Sequence, residues 1–111
     1  MEKINIKIDI DNKEKTYKYE GIAKLNKDIV TYSDNDFDYI YDLKINRFVK
    51  YNKDSKIVLD FDKEEIVIDD KFIIEIKVKK REIDDNKRNI IYNVDNNEIK
   101  FKFIMRGDLN E

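Results

Sequence analysis

With no histidine and no cysteine in 111 residues, the side chains able to do chemistry are carboxylates, lysines, arginines, tyrosines and hydroxyls. Disulfides, thiolate zinc sites, cysteine nucleophiles and every histidine-based triad or metal cage are excluded. Paired carboxylates hydrolyse glycosides when two of them face a cleft at a set separation, but among 25 acidic residues the spacing selects no pair. Asp34, Asp36 and Asp38 have the spacing that opens a calcium loop. The sixth position of that loop is Tyr39 rather than Gly and the twelfth is Ile45 rather than Glu, so it fails at both diagnostic places and reads as a turn. The chain is therefore read as non-enzymatic, with no cofactor and no metal.

Cations concentrate in one stretch: Lys77, Lys79, Lys80, Arg81, Lys87 and Arg88. If Lys77 and Lys79 share a solvent face and a hairpin returns Lys87 and Arg88 beside them, a small positive patch able to meet a phosphate results. Glu75, Glu82, Asp84 and Asp85 are interspersed and the formal net charge is -2, which argues against nucleic acid as a partner. Lys100-Phe101-Lys102-Phe103 has the look of a base-stacking strand, but both Phe residues share parity with Ile99 and Met105, so they read as core.

Tyrosine is the most informative excess. Tyr17, Tyr19, Tyr39, Tyr41, Tyr51 and Tyr92 all fall on faces expected to be dry. They either plug the ends of a packed core, each hydroxyl reaching water or a carbonyl, or line a cavity. In the second case Tyr17, Tyr19, Tyr39, Tyr41 and Tyr51 would surround an amphipathic molecule. Arg47, on the face of Ile45 and Val49, would then meet a carboxylate or phosphate. A strand break near Asn46 would instead turn Arg47 outward.

The elements that must position these residues are strands. Ile occurs 19 times, Tyr 7, Phe 6 and Val 6, against 4 Leu and one Ala, a composition suited to pleated, half-buried surfaces. Ile4, Ile6, Ile8 and Ile10 alternate with polar residues, as do Tyr17 to Leu25, and Asp11 to Glu14 between them is a hairpin turn. Gly21 and Ala23 in mid-face permit close approach of a bulky side chain or another chain. Further alternations cover Ile29–Ser33, Phe37–Tyr51 with a break near Asp42 or Asn46, Ile57–Phe61, Ile66–Ile68, Phe72–Lys79, Ile90–Val94 and Ile99–Met105. Asp- and Asn-rich turns separate them. Residues 107–111 are expected to fray.

Eight to ten short strands on 2- to 5-residue turns pair antiparallel in sequence order, and a sheet of that size closes or splits. The expected fold is all-β: one domain, 1–111, forming an antiparallel up-and-down, closed or flattened β-barrel of calycin or lipocalin type. No run is long enough to span a bilayer and none has the pattern of a secretory signal, so the cytoplasm is the expected location.

Glu20-Gly21-Ile22-Ala23-Lys24-Leu25, Ser55-Lys56-Ile57-Val58-Leu59, Phe72 to Lys79, Ile91-Tyr92-Asn93-Val94 and Ile99 to Phe103 follow one another in an order that resembles the YwiB-like family of small bacterial barrel proteins. The chain departs from that pattern at Lys50-Tyr51-Asn52, where the family carries Arg-x-Gly, and at Asp70, where it carries Gly. The resemblance implies a small calycin-like barrel and carries no catalytic residues with it.

Two functions stay open. One is a barrel binding a small amphipathic or anionic molecule. The other is a protein-interaction or accessory module with a solid core, whose partner sits on an exposed strand edge or on the Lys77–Arg88 hairpin. Ile22, Ile40, Ile73, Ile91 and Ile104 interrupt the wet faces, and a contiguous patch among them would mark a partner surface or a homodimer. Oligomeric state is not fixed by these patterns.

Overall fold

A computed structural model describes residues 1–108. It is all-β: β1 (Glu2–Asp11), β2 (Thr16–Asn26), β3 (Ile29–Ser33), β4 (Asp38–Asp42), β5 (Arg47–Tyr51), β6 (Lys56–Asp60), β7 (Glu65–Ile68), β8 (Phe72–Glu75), β9 (Lys77–Ile83), β10 (Lys87–Val94) and β11 (Asn97–Asp108). The sheet order is β8-β7-β6-β5-β4-β3-β2-β1-β11-β10-β9, with antiparallel registers throughout those resolved. This is the expected up-and-down order, with the first and last strands paired. The break expected near Asp42 or Asn46 is a turn at Leu43–Asn46, which divides 37–51, and the run that alternation left whole, 72–79, is divided at Ile76. The count is therefore eleven. Gly107 and Asp108, expected to fray, belong to β11, where Asp108 pairs with Ile4; the remaining frayed positions, 109–111, lie outside the described residues.

The strands form two compact units. One holds Met1–Glu2 and Ala23–Glu75, the other Lys3–Ile22 and, among the described residues, 76–108. The core of the first is Ala23, Val30, Tyr32, Tyr39, Tyr41, Phe48, Val58, Leu59 and Phe61; that of the second is Ile4, Ile6, Ile8, Ile76, Ile90, Tyr92, Phe101 and Phe103. Alternation explains most of both sets, since residues two apart on a strand face the same side; Val58 and Leu59, adjacent on β6 and both buried, and Phe61, in the turn after it, depart from the pattern. Phe101 and Phe103 are fully buried, as their parity predicted.

The turns are built from Asp and Asn. Asn12, Asp34, Asn52 and Asp84 each donate the backbone N–H to the carbonyl three residues on. The Asn12, Asp34 and Asn52 Oδ1 atoms each accept two amides in return, and Asp84 Oδ1 accepts that of Asn86. A short side-chain acceptor thus replaces glycine as the device that bends the chain. The β4–β5 and β6–β7 turns share a second design. Asp42 and Asp60 cap the amides two and three residues on, and Asn46 and Glu64 close the turns with φ of 55°. Asn tolerates this left-handed conformation; Glu pays a steric penalty for its Cβ. Glu64→Asn is expected to stabilise the fold by about 0.5–1 kcal/mol, read as a rise of a few degrees in Tm.

Gly21 has a specific neighbour. The Tyr19 ring lies over it, with the hydroxyl donating to the Ile22 carbonyl at 3.0 Å, and a Cβ on Gly21 would stand 3.0 Å from that hydroxyl. The close approach expected at this position is made by a side chain of the same strand.

Candidate functional site

The tyrosines expected to share a cavity do not share a face. Tyr17 and Tyr19 are half-buried on β2 in the second unit, whereas Tyr39, Tyr41, Arg47 and Tyr51 belong to the first. Within the first unit, Tyr39 pairs with Lys50 and Tyr41 with Phe48, which sets the dry face of β4 against the even positions of β5. Arg47, opposite Asp42, and Tyr51, opposite Asp38, lie on the other face. The four residues of the Leu43–Asn46 turn reverse the parity that an unbroken strand would have kept. Ile45, expected on the dry face, is 44% exposed in that turn.

Tyr39 and Tyr41 sit in an aromatic cluster. Tyr32 and Tyr39 stack with centroids 4.5 Å apart, Tyr39 lies 5.8 Å from Phe48, and Tyr41 meets the same Phe48 edge-on at 5.9 Å. Both hydroxyls are engaged by the chain itself. Tyr39 donates to Asp34 Oδ2 and Tyr41 to Asn46 Oδ1, each at 2.6 Å. Asn46 is buried, and its Nδ2 has no partner. It is a buried polar residue that sequence reasoning missed, because a turn Asn gives no sign of which way its side chain points.

Burial pushes the Asp34 carboxyl up. The Tyr39 hydroxyl, the Asp36 and Phe37 amides and the Lys50 charge outweigh that and hold it below the ordinary range. Lys50 also stands 4.2 Å from the centre of the Phe37 ring. A carboxyl with a depressed folded pKa stabilises the fold above its unfolded pKa, and that contribution is lost as pH falls through the folded value. Tyr39→Phe is expected to raise the Asp34 pKa and to start acid unfolding at a higher pH. NMR titration of the Asp34 carboxyl and acid melts of the two proteins check this.

The basic stretch is not one patch. In the β9–β10 hairpin Arg88 pairs with Ile83, next to the turn, while Lys77 pairs with Asn93 at the far end. Six residues of extended strand separate these ends by roughly 20 Å. A bulge between Ile91 and Tyr92 leaves Lys79 as the extra residue on β9. Arg88, expected on the surface, is 8% exposed. Its guanidinium donates to the carbonyls of Asp84 and Lys87, tying down the turn behind it. Lys87, Lys77 and Lys79 are exposed, but the geometry that would gather all four is absent.

The second unit carries hollows among the described residues. One, of about 200 Å3, is bounded by Asn5, Lys7, Glu20, Gly21, Ile104 and Arg106. Another, of about 250 Å3, is bounded by Lys80, Glu82, Asn89, Ile91, Lys100 and Lys102. None of the tyrosines proposed as ligands, nor Arg47, lines either. Burial pushes the Tyr92 hydroxyl well up, so that phenol stays protonated far above neutral pH. Among the described residues, no group of three or more acidic side chains is placed to hold a metal ion, and no helix is long and apolar enough to cross a membrane.

The feature that stands apart is β8. Every residue of Phe72–Glu75 is exposed, with Phe72 at 64%, Ile73 at 66% and Ile74 at 36%. Alternation marked Phe72 and Ile74 as one dry face, but neither face of this strand is covered. β8 pairs with β7 and ends the sheet order, so among the described residues its other edge has no hydrogen-bonded neighbour strand. Of the isoleucines that interrupt wet faces, Ile73 is thus joined to further exposed apolar residues. Ile91 and Ile104 are half-buried and flanked across strands by lysines: Lys80 and Lys100 beside the first, Lys87 and Lys7 beside the second.

No family model, curated protein or solved structure matches the chain.

Proposed function

We propose that this chain is a non-enzymatic, cytoplasmic protein-interaction module that takes up an extended segment of a partner along the open edge of β8. The observation that carries the reading is the exposure of all four β8 residues at the end of the sheet order. Backbone amides and carbonyls on an edge strand are a template for a further strand, and proteins commonly protect such edges with proline, a bulge or a central charge. β8 has none of these between Phe72 and Ile74. The resemblance to the YwiB-like family adds a calycin-like barrel to this reading and no activity.

The alternative, a barrel holding an amphipathic or anionic small molecule, loses support where its contacts were expected. Tyr39 and Tyr41 spend their hydroxyls on Asp34 and Asn46, and Arg47 and Tyr51 face the other way.

The test is an NMR titration of the 15N-labelled chain with a synthetic β-forming peptide of unrelated, alternating Val and Thr sequence. Shift changes or broadening centred on Phe72–Glu75, lost in Ile73→Lys, are the expected result. Amides of β8 that stay unmoved up to millimolar peptide overturn the reading.

A further inference from the structure

Resting on that docking reading, we infer that the segment β8 takes up is β8 of a second copy of the same chain, paired antiparallel about a two-fold axis through Ile73. The argument begins with the order of charges. Lys71, the last residue of the β7–β8 turn, and Glu75, the last of β8, put a cation before the apolar centre Phe72-Ile73-Ile74 and an anion after it. Two such strands run antiparallel with Ile73 opposite Ile73 place Lys71 of each against Glu75 of the other, and Phe72 against Ile74. Shifting the register by one residue sets Glu75 against either Phe72 or Asp70. A shift by two sets it against Asp69 or lines up Lys71 with Lys77. Parallel, in-register stacking puts Lys71 on Lys71 and Glu75 on Glu75, and like charges directly opposite are destabilising. The charges thus select one antiparallel register and a closed pair over an open-ended stack.

The hairpin supplies a second reason for this arrangement. Glu75 lies directly opposite Glu65 in the β7–β8 register, a like-charge pair. Among the described residues neither Glu75 nor Lys71 has an ion-pair partner, whereas the neighbouring Asp70 is held by Lys56 at 3.5 Å. In the two-fold pair, Lys71 of the second copy arrives on the open side of Glu75 and offsets both carboxylates. The apolar rows also become continuous. On one face Ile66 and Ile74 are extended by Phe72 and Ile68 of the second copy. On the other, Val67 and Ile73 are extended by Ile73 and Val67. Aromatic and β-branched cross-strand pairs of this kind are among the favourable ones.

A four-residue strand makes a small interface, so the pair is a weak one, populated at about 100 μM protein and above. Sedimentation equilibrium of the full chain tests it, with far-UV circular dichroism confirming that each variant folds. The wild type is expected to dimerise with rising concentration. Lys71→Glu and Glu75→Lys, each of which creates two like-charge contacts across the axis, are expected to weaken association about tenfold or more. The double reversal K71E/E75K restores it. Mixing the two single variants yields a heterodimer, because each then meets its complement. E75K also removes the clash with Glu65, so its lost association cannot be ascribed to unfolding. A wild type that stays monomeric into the millimolar range overturns the proposal, as does association indifferent to both single reversals. If the chain is monomeric yet the unrelated peptide still perturbs β8, self-pairing falls and the docking edge stands. If neither occurs, both fall.

Discussion

Replacing Phe61 by Ala is expected to cost about 3–5 kcal/mol of stability, the range for emptying a fully buried aromatic site. Phe61 follows the last residue of β6 and lies in the β6–β7 turn, where an apolar residue is ordinarily half-exposed. Here it is 0% exposed, and its N–H donates to the Asn46 carbonyl at 3.2 Å. The ring is therefore a core residue delivered by a loop, and that loop is clamped to the β4–β5 turn. Against a total stability of about 5–15 kcal/mol for a domain, the loss is a large share. Denaturant unfolding should show a much lower midpoint with little change in slope. Lys63→Ala, two residues on and exposed, is the control and should stay within about 0.5 kcal/mol. A Phe61→Ala loss below 1 kcal/mol would mean that the turn does not hold the ring inside.

Tyr41→Phe is expected to cost about 1–3 kcal/mol although it removes a single oxygen. The Tyr41 hydroxyl is the donor to Asn46 Oδ1 at 2.6 Å, and Asn46 Nδ2 already lacks a partner. Without the hydroxyl the whole carboxamide would be buried and unsatisfied, and that desolvation penalty exceeds the net value of an ordinary hydrogen bond. A double-mutant cycle with Asn46→Gly isolates the effect. Glycine keeps the φ of 55° that this turn requires and takes the orphaned amide away. Once Asn46 is glycine, Tyr41→Phe should cost much less. Additive losses would place the Tyr41 hydroxyl in some other role.

The strands were legible because period-two alternation is a direct record of which residues share a face. Ile4, Ile6 and Ile8 and the pair Phe101 and Phe103 are buried as that record says. Alternation does not say whether a face is covered. Phe72 and Ile74 have the same pattern as Ile4 and Ile6, yet they are open. Nor does it carry parity across a turn of unknown length. The Leu43–Asn46 turn shifts the phase of β5 against β4 and moves Arg47 and Tyr51 off the face of Tyr39 and Tyr41. Arg88 failed for a third reason: a guanidinium that satisfies the carbonyls of its own turn can be buried, and composition alone places it outside.

The pairing of β1 with β11 bears on how the chain could be rewired. Ile4 and Asp108 are cross-strand partners, so the two ends of the described chain meet on adjacent strands. Read from β9, the sheet order runs β9-β10-β11-β1-β2 and on to β8 without a skip. A circular permutant opened at Ile76, with a short loop joining β11 to β1, would therefore contain nothing but successive hairpins. The one pairing that now spans nearly the whole chain would become local. Loop closure would cost less entropy, contact order would fall, and refolding should be faster than in the unpermuted chain at similar stability.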